Sequence, residues 1–174
     1  MNKQEVTTFC NKLIPDIENH VRTWNLKGCS EFYLGKTILD FSPRRRSSRG
    51  GLYTVKSVKV PGINLAVLPY TNKPEGIYRW YEYKSFDSNS LIGGFYADNQ
   101  ELNISALICH EISHAIQFWI YWYNNTERPK PHGQEFKDYY KTLRNKYVNK
   151  KLPNQIEYKA QYEAEIAKFT LLKT

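Results

Sequence analysis

The chain has 174 residues, of which 41% are hydrophobic and 24% are charged, and its formal net charge at pH 7 is +8. This composition excludes a disordered chain, and the length favours a single domain, residues 1–174, with a hydrophobic core of its own. Apolar runs are only a few residues long, and residues 1–5 lack the profile of a signal peptide, so we expect a cytoplasmic protein with no membrane partner.

Cysteine usage supports the same interpretation. Cys10, Cys29 and Cys109 are odd in number, widely spaced and never in a Cys-x-x-Cys pair, so they predict neither a disulfide framework nor a zinc ribbon. We interpret them as reduced thiols, most of them in the core.

The first predicted element is an amphipathic helix over residues 5–24, where apolar side chains recur every three or four positions. Pro15 interrupts this pattern, so the helix either kinks there or consists of two short helices. Gly28 predicts the C-terminal end of this helical region. A short strand is predicted at residues 31–34, and residues 39–41 are a candidate extension of it.

A basic loop follows at residues 42–51, in which four arginines stand among serine, proline and glycine. They are Arg44, Arg45, Arg46 and Arg49. Guanidinium groups do not pack in a core by themselves, so these side chains are either solvated or bound to a polyanion. Together with the positive net charge, they form the candidate nucleic-acid-binding surface, and DNA is the candidate partner.

The middle of the chain is predicted to form strands. They cover residues 52–60, 63–68, 77–83 and 91–96. The first two are expected to form a hairpin with its turn at Pro61-Gly62, and residues 87–90 are expected to form a further turn.

Within an apolar segment at residues 106–119, His110, Glu111 and His114 form the pattern His-Glu-x-x-His. Positions four apart share one face of a helix, so both imidazoles can point at one metal ion while Glu111 reaches a water bound to it. Two core histidines that bind nothing are the alternative. Apolar flanks without proline or glycine favour a buried helix that carries ligands, and the pattern is typical of zinc hydrolases.

This helix is predicted to cover residues 102–123, with Asn99 or Asn103 as its N-cap. Two more amphipathic helices are predicted at residues 136–147 and residues 155–172. We expect the last one to dock on the core along an apolar stripe. The stripe consists of Tyr158, Tyr162, Ile166 and Phe169.

A catalytic zinc ion usually takes three protein ligands and keeps a fourth position open for water, so this site needs one more ligand. His132 is one candidate, because Gly133 lets the chain turn tightly into the next helix. Glu163 or Glu165 in the last helix is the other candidate, since either could present a carboxylate.

His-Glu-Ile-Ser-His at residues 110–114, followed by His132-Gly133-x-x-Phe136 and an amphipathic helix, resembles the SprT-like metallopeptidase domain of the Spartan and Wss proteases. The resemblance implies that the three histidines of this pattern hold one zinc ion (Zn2+). It implies a zincin-like α+β fold, in which a small, mostly antiparallel sheet packs against an N-terminal helix, the His-Glu-x-x-His helix and C-terminal helices. It also implies peptidase activity on a protein or peptide substrate.

Spartan-type members cleave proteins that are crosslinked to or bound on DNA, so the resemblance extends to a role on DNA-associated proteins. It is specific over residues 102–147 and looser upstream. Many members continue into a cysteine-rich zinc ribbon, whereas no cysteine follows Cys109 in this chain. Any DNA binding must therefore use other surfaces.

Two other interpretations stay open. Residues 163–169 are similar to the Glu-x-Glu-Ala-x-x-Phe stretch of ImmA/IrrE-type metalloproteases, which would make Glu163 the ligand and His132 an ordinary surface histidine. We favour His132, because its His-Gly-x-x-aromatic context has no other ready explanation. The third interpretation is a basic nucleic-acid-binding module with a structural metal site. Glu111 argues against it, since a structural site needs no base beside its ligands.

The predicted reaction is hydrolysis of a peptide bond. Glu111 takes a proton from a water that the metal acidifies to a pKa of roughly 7, and then returns one to the leaving amine. An extended substrate is expected to add to the strand at residues 91–96. Tyr139 or Tyr140 can hydrogen-bond the oxyanion, although packing in the interior is the favoured role for both.

Overall fold

The computed structural model describes residues 1–44, 47–83, 86 and 91–171. For residues 169–171 it describes the backbone alone. In chain order its elements are α1 (Lys3–Arg22), β1 (Lys36–Asp40), β2 (Arg49–Val55), β3 (Val58–Ala66), β4 (Tyr78–Trp80), β5 (Phe95–Ala97), α2 (Gln100–Asn124), α3 (Gln134–Tyr147) and α4 (Gln155–Leu171). Short 3-10 segments lie at Leu68–Tyr70 and Asn149–Lys151. The predicted α+β class is confirmed.

The strands form two small sheets. The first has the order β1-β3-β2, with β1 parallel and β2 antiparallel to the central β3, and the second is the antiparallel pair β4-β5. The sequence predicts one small sheet, whereas the described strands form two. One pairing is parallel because the chain reverses direction twice between β1 and β3. This order leaves β2 at an edge of the first sheet.

The turn of the β2-β3 hairpin lies earlier than predicted. Lys56 and Ser57 adopt left-handed φ angles of 47° and 67°, as two-residue hairpin turns require, whereas Pro61 and Gly62 lie inside β3. Pro61 is tolerated because the pairing with β1 begins only one residue later. Glycine is needed at position 62, since a Cβ atom there would approach the Lys36 carbonyl oxygen to 2.6 Å.

Three other predicted strands are shorter or displaced. Residues 31–34 are not a strand, because the buried side chain of Phe32 reaches the core from a loop, and β1 begins only at Lys36. The predicted strands at 77–83 and 91–96 shrink to the three-residue strands β4 and β5. The turn predicted at residues 87–90 lies outside the described residues.

Helix α1 is one helix, so the alternative of two short helices is wrong. Its first turn is closed by a capping box, in which the Glu5 backbone N–H donates to Asn2 and the Asn2 backbone N–H donates to Glu5. Pro15 lies on the exposed face, so the backbone carbonyl of Asn11 that loses its partner is on the solvent side as well.

Helix α2 is the central element of the fold. The strands β2, β3 and β5 and the helices α1 and α3 all pack on it, and most of its side chains between Leu102 and Ile116 are buried. Asn99 is its N-cap and accepts a hydrogen bond from the Glu101 N–H, and Asn125 closes the other end in a left-handed conformation. All three cysteines are free and buried, as predicted.

Helix α4 forms where it was predicted, but it does not dock on the core. Each of its described side chains is at least partly exposed, with Ile156 84% and Ile166 49% exposed. It is attached to β5 instead, because the Gln155 amide exchanges hydrogen bonds with the backbone of Tyr96 and the Tyr162 ring lies 5.3 Å from the Tyr96 ring. Within the described part of the chain, no helix could cross a membrane.

Candidate metal centre

Three imidazoles converge on one point. His110 and His114 lie one turn apart on the same face of α2, and His132 lies just before α3. The Nε2 atom of His132 is 2.9 Å from that of His114 and 3.3 Å from that of His110. Two nitrogens bound tetrahedrally to zinc are about 3.4 Å apart, so these three histidines lie close enough to bind one metal ion. Among the described residues, no other metal-ligating side chain joins this group.

The loop between α2 and α3 holds the third imidazole in place. His132 has a left-handed φ of 59°, and the Gly133 N–H after it donates to the Lys130 carbonyl oxygen at 3.0 Å. The Gln117 side chain on α2 donates to the same oxygen at 3.1 Å. The turn predicted from Gly133 is therefore tied back to the helix that carries the other two ligands.

The environment keeps two of the imidazoles neutral. Burial, with contributions from His110 and His132, lowers the pKa of His114 to about 3. Burial and the charge of His110 also lower the pKa of His132, and Glu82 opposes this change. Both side chains are therefore in the neutral form at pH 7, which is the form that binds metals.

Glu82 lies behind the imidazoles and was not anticipated from the sequence. Its carboxylate is 2% exposed and lies 3.6 Å from the Nδ1 atom of His110. Trp80 donates a hydrogen bond to it at 2.8 Å, and the hydroxyl group of Tyr140 donates another. Burial raises the pKa of Glu82, but the contact with His110 and these hydrogen bonds lower it overall. A carboxylate here favours the His110 tautomer whose Nε2 is free for a metal.

A buried cation balances this buried carboxylate. The Arg144 side chain is 1% exposed, and its Nη1 atom lies 3.8 Å from the Glu82 carboxylate. It also donates to the Gly93 carbonyl oxygen at 3.3 Å and to the Tyr140 hydroxyl at 3.2 Å. The sequence held a weak signal for both residues: Glu82 follows an aromatic strand, and Arg144 interrupts the apolar stripe of α3.

Glu111 lies beside the three imidazoles but outside the ligand group. Its carboxylate is mostly buried, and the nearby backbone N–H of Gly50 favours its ionised form. Burial raises the pKa of Glu111 above its ordinary value, and the charge of Glu82 adds to this, while His110 and Gly50 oppose it. A raised pKa makes a carboxylate a stronger base than an exposed one, which suits a group that accepts a proton.

Gly50 places β2 directly on α2. A Cβ atom at this position would lie 1.8 Å from the Glu111 carbonyl oxygen, so only glycine permits this approach. Residues 49–52 of β2 line the same cleft as the three imidazoles. The basic loop predicted at residues 42–51 is thus partly wrong, since β2 already begins at Arg49.

A cleft of about 460 Å³ lies over the imidazoles. Residues 48–52 and side chains of α2 line it, together with Tyr83, Arg128 and His132. A second cleft of about 420 Å³ continues past Glu111 and shares Tyr83 with the first. Residues 91–96, the predicted docking strand for a substrate, line neither of these two clefts.

The predicted tyrosines face away from the cleft. Tyr140 is buried and donates to Glu82, and Tyr139 stacks on Trp24 with 5.8 Å between ring centres. Tyr83 lines the cleft instead, 52% exposed, with its ring 4.3 Å from the ring of His132.

Of the four arginines of the basic loop, Arg49 lines the cleft, and Arg44 is exposed but does not line it. Arg45 and Arg46 lie outside the described residues.

The alternative carboxylate ligands lie on an exposed helix. Glu163 and Glu165 are both exposed on α4, and the Glu163 carboxylate lies 3.8 Å from the ammonium group of Lys159. Glu163 is not in the group of described side chains that lie close enough together to bind one metal ion, whereas His132 is.

The chain was compared with protein-family models, curated proteins and solved structures, and nothing matches it in any of the three comparisons. The resemblance to SprT-like domains therefore depends on the motif residues alone. Function has to be argued from the geometry of the metal centre and its cleft.

Proposed function

We propose that this protein is a zinc-dependent endopeptidase of the SprT-like type. The observation that carries the proposal is the convergence of three imidazole Nε2 atoms beside Glu111, a carboxylate that is not one of the ligands. A structural metal site needs four protein ligands and no neighbouring base, whereas a catalytic site needs three ligands and a base.

The donor set favours zinc. Three neutral imidazoles without a thiolate suit a tetrahedral ion that keeps one position open. A zinc ion bound there supplies a Lewis acid for a carbonyl group and acidifies a water to a pKa of roughly 7.

Three side chains of the protein carry out the other parts of the reaction. Glu111 accepts a proton from the attacking water and returns a proton to the leaving amine. Glu82 keeps His110 in the required tautomer and orientation through its contact with Nδ1. Tyr83, which lines both clefts, is the side chain best located to donate a hydrogen bond to the developing oxyanion.

A polypeptide is the substrate that this cleft suits best. β2 is an edge strand, and its backbone beside Gly50 and Gly51 lines the cleft. An extended segment of substrate can pair with such an edge and lie across the metal and Glu111. This location replaces the one expected at residues 91–96.

DNA-associated proteins are the substrates that the SprT-like resemblance suggests. The net charge of +8 and the exposed side chain of Arg44 support this part of the proposal. Addition of single-stranded DNA to the cleavage assay tests it. We expect DNA to increase the cleavage rate, and to increase it more at low salt than at high salt. Equal rates with and without DNA at every salt concentration would remove DNA from the proposal.

Metal content and cleavage of an unfolded protein, measured together, test the proposed enzyme. Glu111→Gln should keep one equivalent of zinc and lose about 1,000-fold in cleavage rate, because the base is lost and the ligands stay. His132→Ala should lose the zinc as well. Glu163→Ala is the matched control and should change neither quantity. Cleavage by Glu111→Gln at the wild-type rate would refute the mechanism.

A further inference from the structure

Two exposed arginines line the cleft. Arg49 on β2 and Arg128 in the loop before α3 both line it, and both are exposed. Neither has an ion-pair partner among the residues that the structure describes. The described cleft lining contains one acidic side chain, Glu111, and that carboxylate is mostly buried. The charge that a bound molecule meets in this cleft is therefore positive.

Arg128 is held at one end of the cleft by contacts with α2. Its guanidinium group lies 5.8 Å from the ring centre of Phe118, and this ring lies beside Gly51 of the edge strand. The loop that carries Arg128 is anchored by the hydrogen bond from Gln117 to Lys130. Arg49 directly precedes Gly50, whose backbone lies against that of Glu111. Both arginines are therefore carried by segments that line the cleft beside the edge of β2.

We propose that the cleft selects polypeptide segments with aspartate or glutamate side chains next to the bond that is cleaved, and that Arg49 and Arg128 bind these carboxylates. This inference rests on the proposed peptidase function. Arginine suits the role because its planar group binds a carboxylate through two parallel hydrogen bonds, each stronger than a hydrogen bond between neutral groups.

A carboxylate fits this cleft better than a nucleic-acid backbone does. Nucleic-acid affinity comes largely from contacts to many phosphates and is weakened steeply by salt, whereas the described lining offers two cations. The wall of the cleft also consists of a strand edge with apolar neighbours such as Leu52 and Phe118. An edge with free backbone groups and apolar contacts is a surface for an extended peptide.

Three matched fluorogenic peptides test the selection with the zinc-loaded full chain. They share one apolar sequence and carry glutamate, glutamine or lysine on both sides of the central bond. We expect kcat/KM to be about 10-fold higher for the glutamate peptide than for the glutamine peptide, and lowest for the lysine peptide. Arg49→Gln and Arg128→Gln should each reduce this preference. Lys12→Gln removes the same charge from the exposed face of α1 and should leave it unchanged.

The outcomes separate this inference from the proposed function. Equal cleavage of the three peptides would contradict the selection for acidic segments but not the proposed peptidase activity. No cleavage of any peptide or unfolded protein would contradict the peptidase activity itself. Binding gives a second readout, since zinc-loaded Glu111→Gln should bind the glutamate peptide at least about 10-fold more tightly than the lysine peptide by fluorescence anisotropy. If single-stranded DNA displaces this peptide at physiological salt, the arginines bind phosphate and the selection for carboxylates is overturned.

Discussion

The two sides of the cleft are built from the sequence in different ways. The helix side consists of His110, Glu111 and His114 on α2 and of His132 before α3. Helical spacing aims His110 and His114 at one point. The loop before α3, which Gln117 ties to α2, brings His132 to the same point.

The strand side is assembled from distant segments. Gly50 comes from β2, and Glu82 and Tyr83 follow β4. None of them is near the histidines in sequence, yet Gly50 and Glu82 contact Glu111 and His110 directly. The helix side thus determines which atoms can bind a metal. The strand side determines how those atoms are oriented and what reaches them.

The largest effect is expected on the helix side. His114→Ala removes one of three ligands, which should weaken zinc binding by about 1,000-fold if each ligand contributes roughly a third of a binding free energy near 12 kcal/mol. Competition with a zinc chelator measures this change. Glu165→Ala, which removes an exposed carboxylate from α4, is the control and should bind zinc like the wild type. Unchanged affinity in His114→Ala would mean that the three imidazoles do not share one ion.

On the strand side, the contact between β2 and α2 can be broken at one position. Gly50→Ala places a Cβ atom where the Glu111 carbonyl oxygen lies, so β2 has to move away from α2. We expect the free energy of unfolding to fall by about 3 kcal/mol, which corresponds to a Tm decrease of roughly 9 °C. Thermal unfolding followed by circular dichroism measures this. Val58→Ala, at an exposed position of β3, should change Tm by far less. Equal Tm values for both variants would contradict the close approach.

Glu82 tests how the strand side orients a ligand. Glu82→Gln keeps the shape of the side chain but removes the charge that favours a proton on Nδ1 of His110. Loss of such a partner typically lowers metal affinity by about 10- to 100-fold. The same chelator competition detects this, with Glu75→Gln as the exposed control. An affinity equal to that of the wild type would assign Glu82 a role in packing only.

Tyr83 tests whether the strand side takes part in the reaction. Tyr83→Phe removes one hydroxyl group at the rim of the cleft, and we expect kcat to fall by about 10-fold or more with zinc affinity unchanged, because the group acts on the developing charge. Tyr33→Phe, which is also exposed, is the control. A change in KM with constant kcat would instead make Tyr83 a binding residue.

The same contrast explains what the sequence could and could not predict. The shared face of His110 and His114 and the position of Glu111 next to them follow from a period of 3.6 residues. His132 is favoured over Glu163 by its His-Gly-x-x-aromatic context. Helical contacts repeat locally, so the sequence contains them. Asn99 could be proposed as a cap for the same reason.

The strand side depends on pairing and packing between distant segments, which a local pattern does not contain. Pro61-Gly62 has the composition of a turn, but the register with β1 places it inside a strand. Gly50 was assigned to a loop, because nothing in the sequence indicates that α2 lies against it. Tyr158, Tyr162 and Ile166 on α4 have helical spacing, yet they stay at least partly exposed, and no described side chain of α4 belongs to the core. The side chain of Phe169, the fourth member of the stripe, lies outside the described ones.

The smallest effect is expected for the buried thiols of Cys10 and Cys29. Burial raises the pKa of Cys10 to about 12 and, with the charge of Glu31 adding, that of Cys29 to about 11. The folded protein therefore holds both protons up to a higher pH than the unfolded chain, whose thiols ionise near pH 9, so stability should decline as the pH rises above about 9. At pH 8 a thiol reagent should react with neither residue in the native protein and with both in denaturant. Zinc should leave this result unchanged. Fast native labelling would show that the packing of α1 on α2 opens, and the metal centre would then rest on a less rigid helix than the one described.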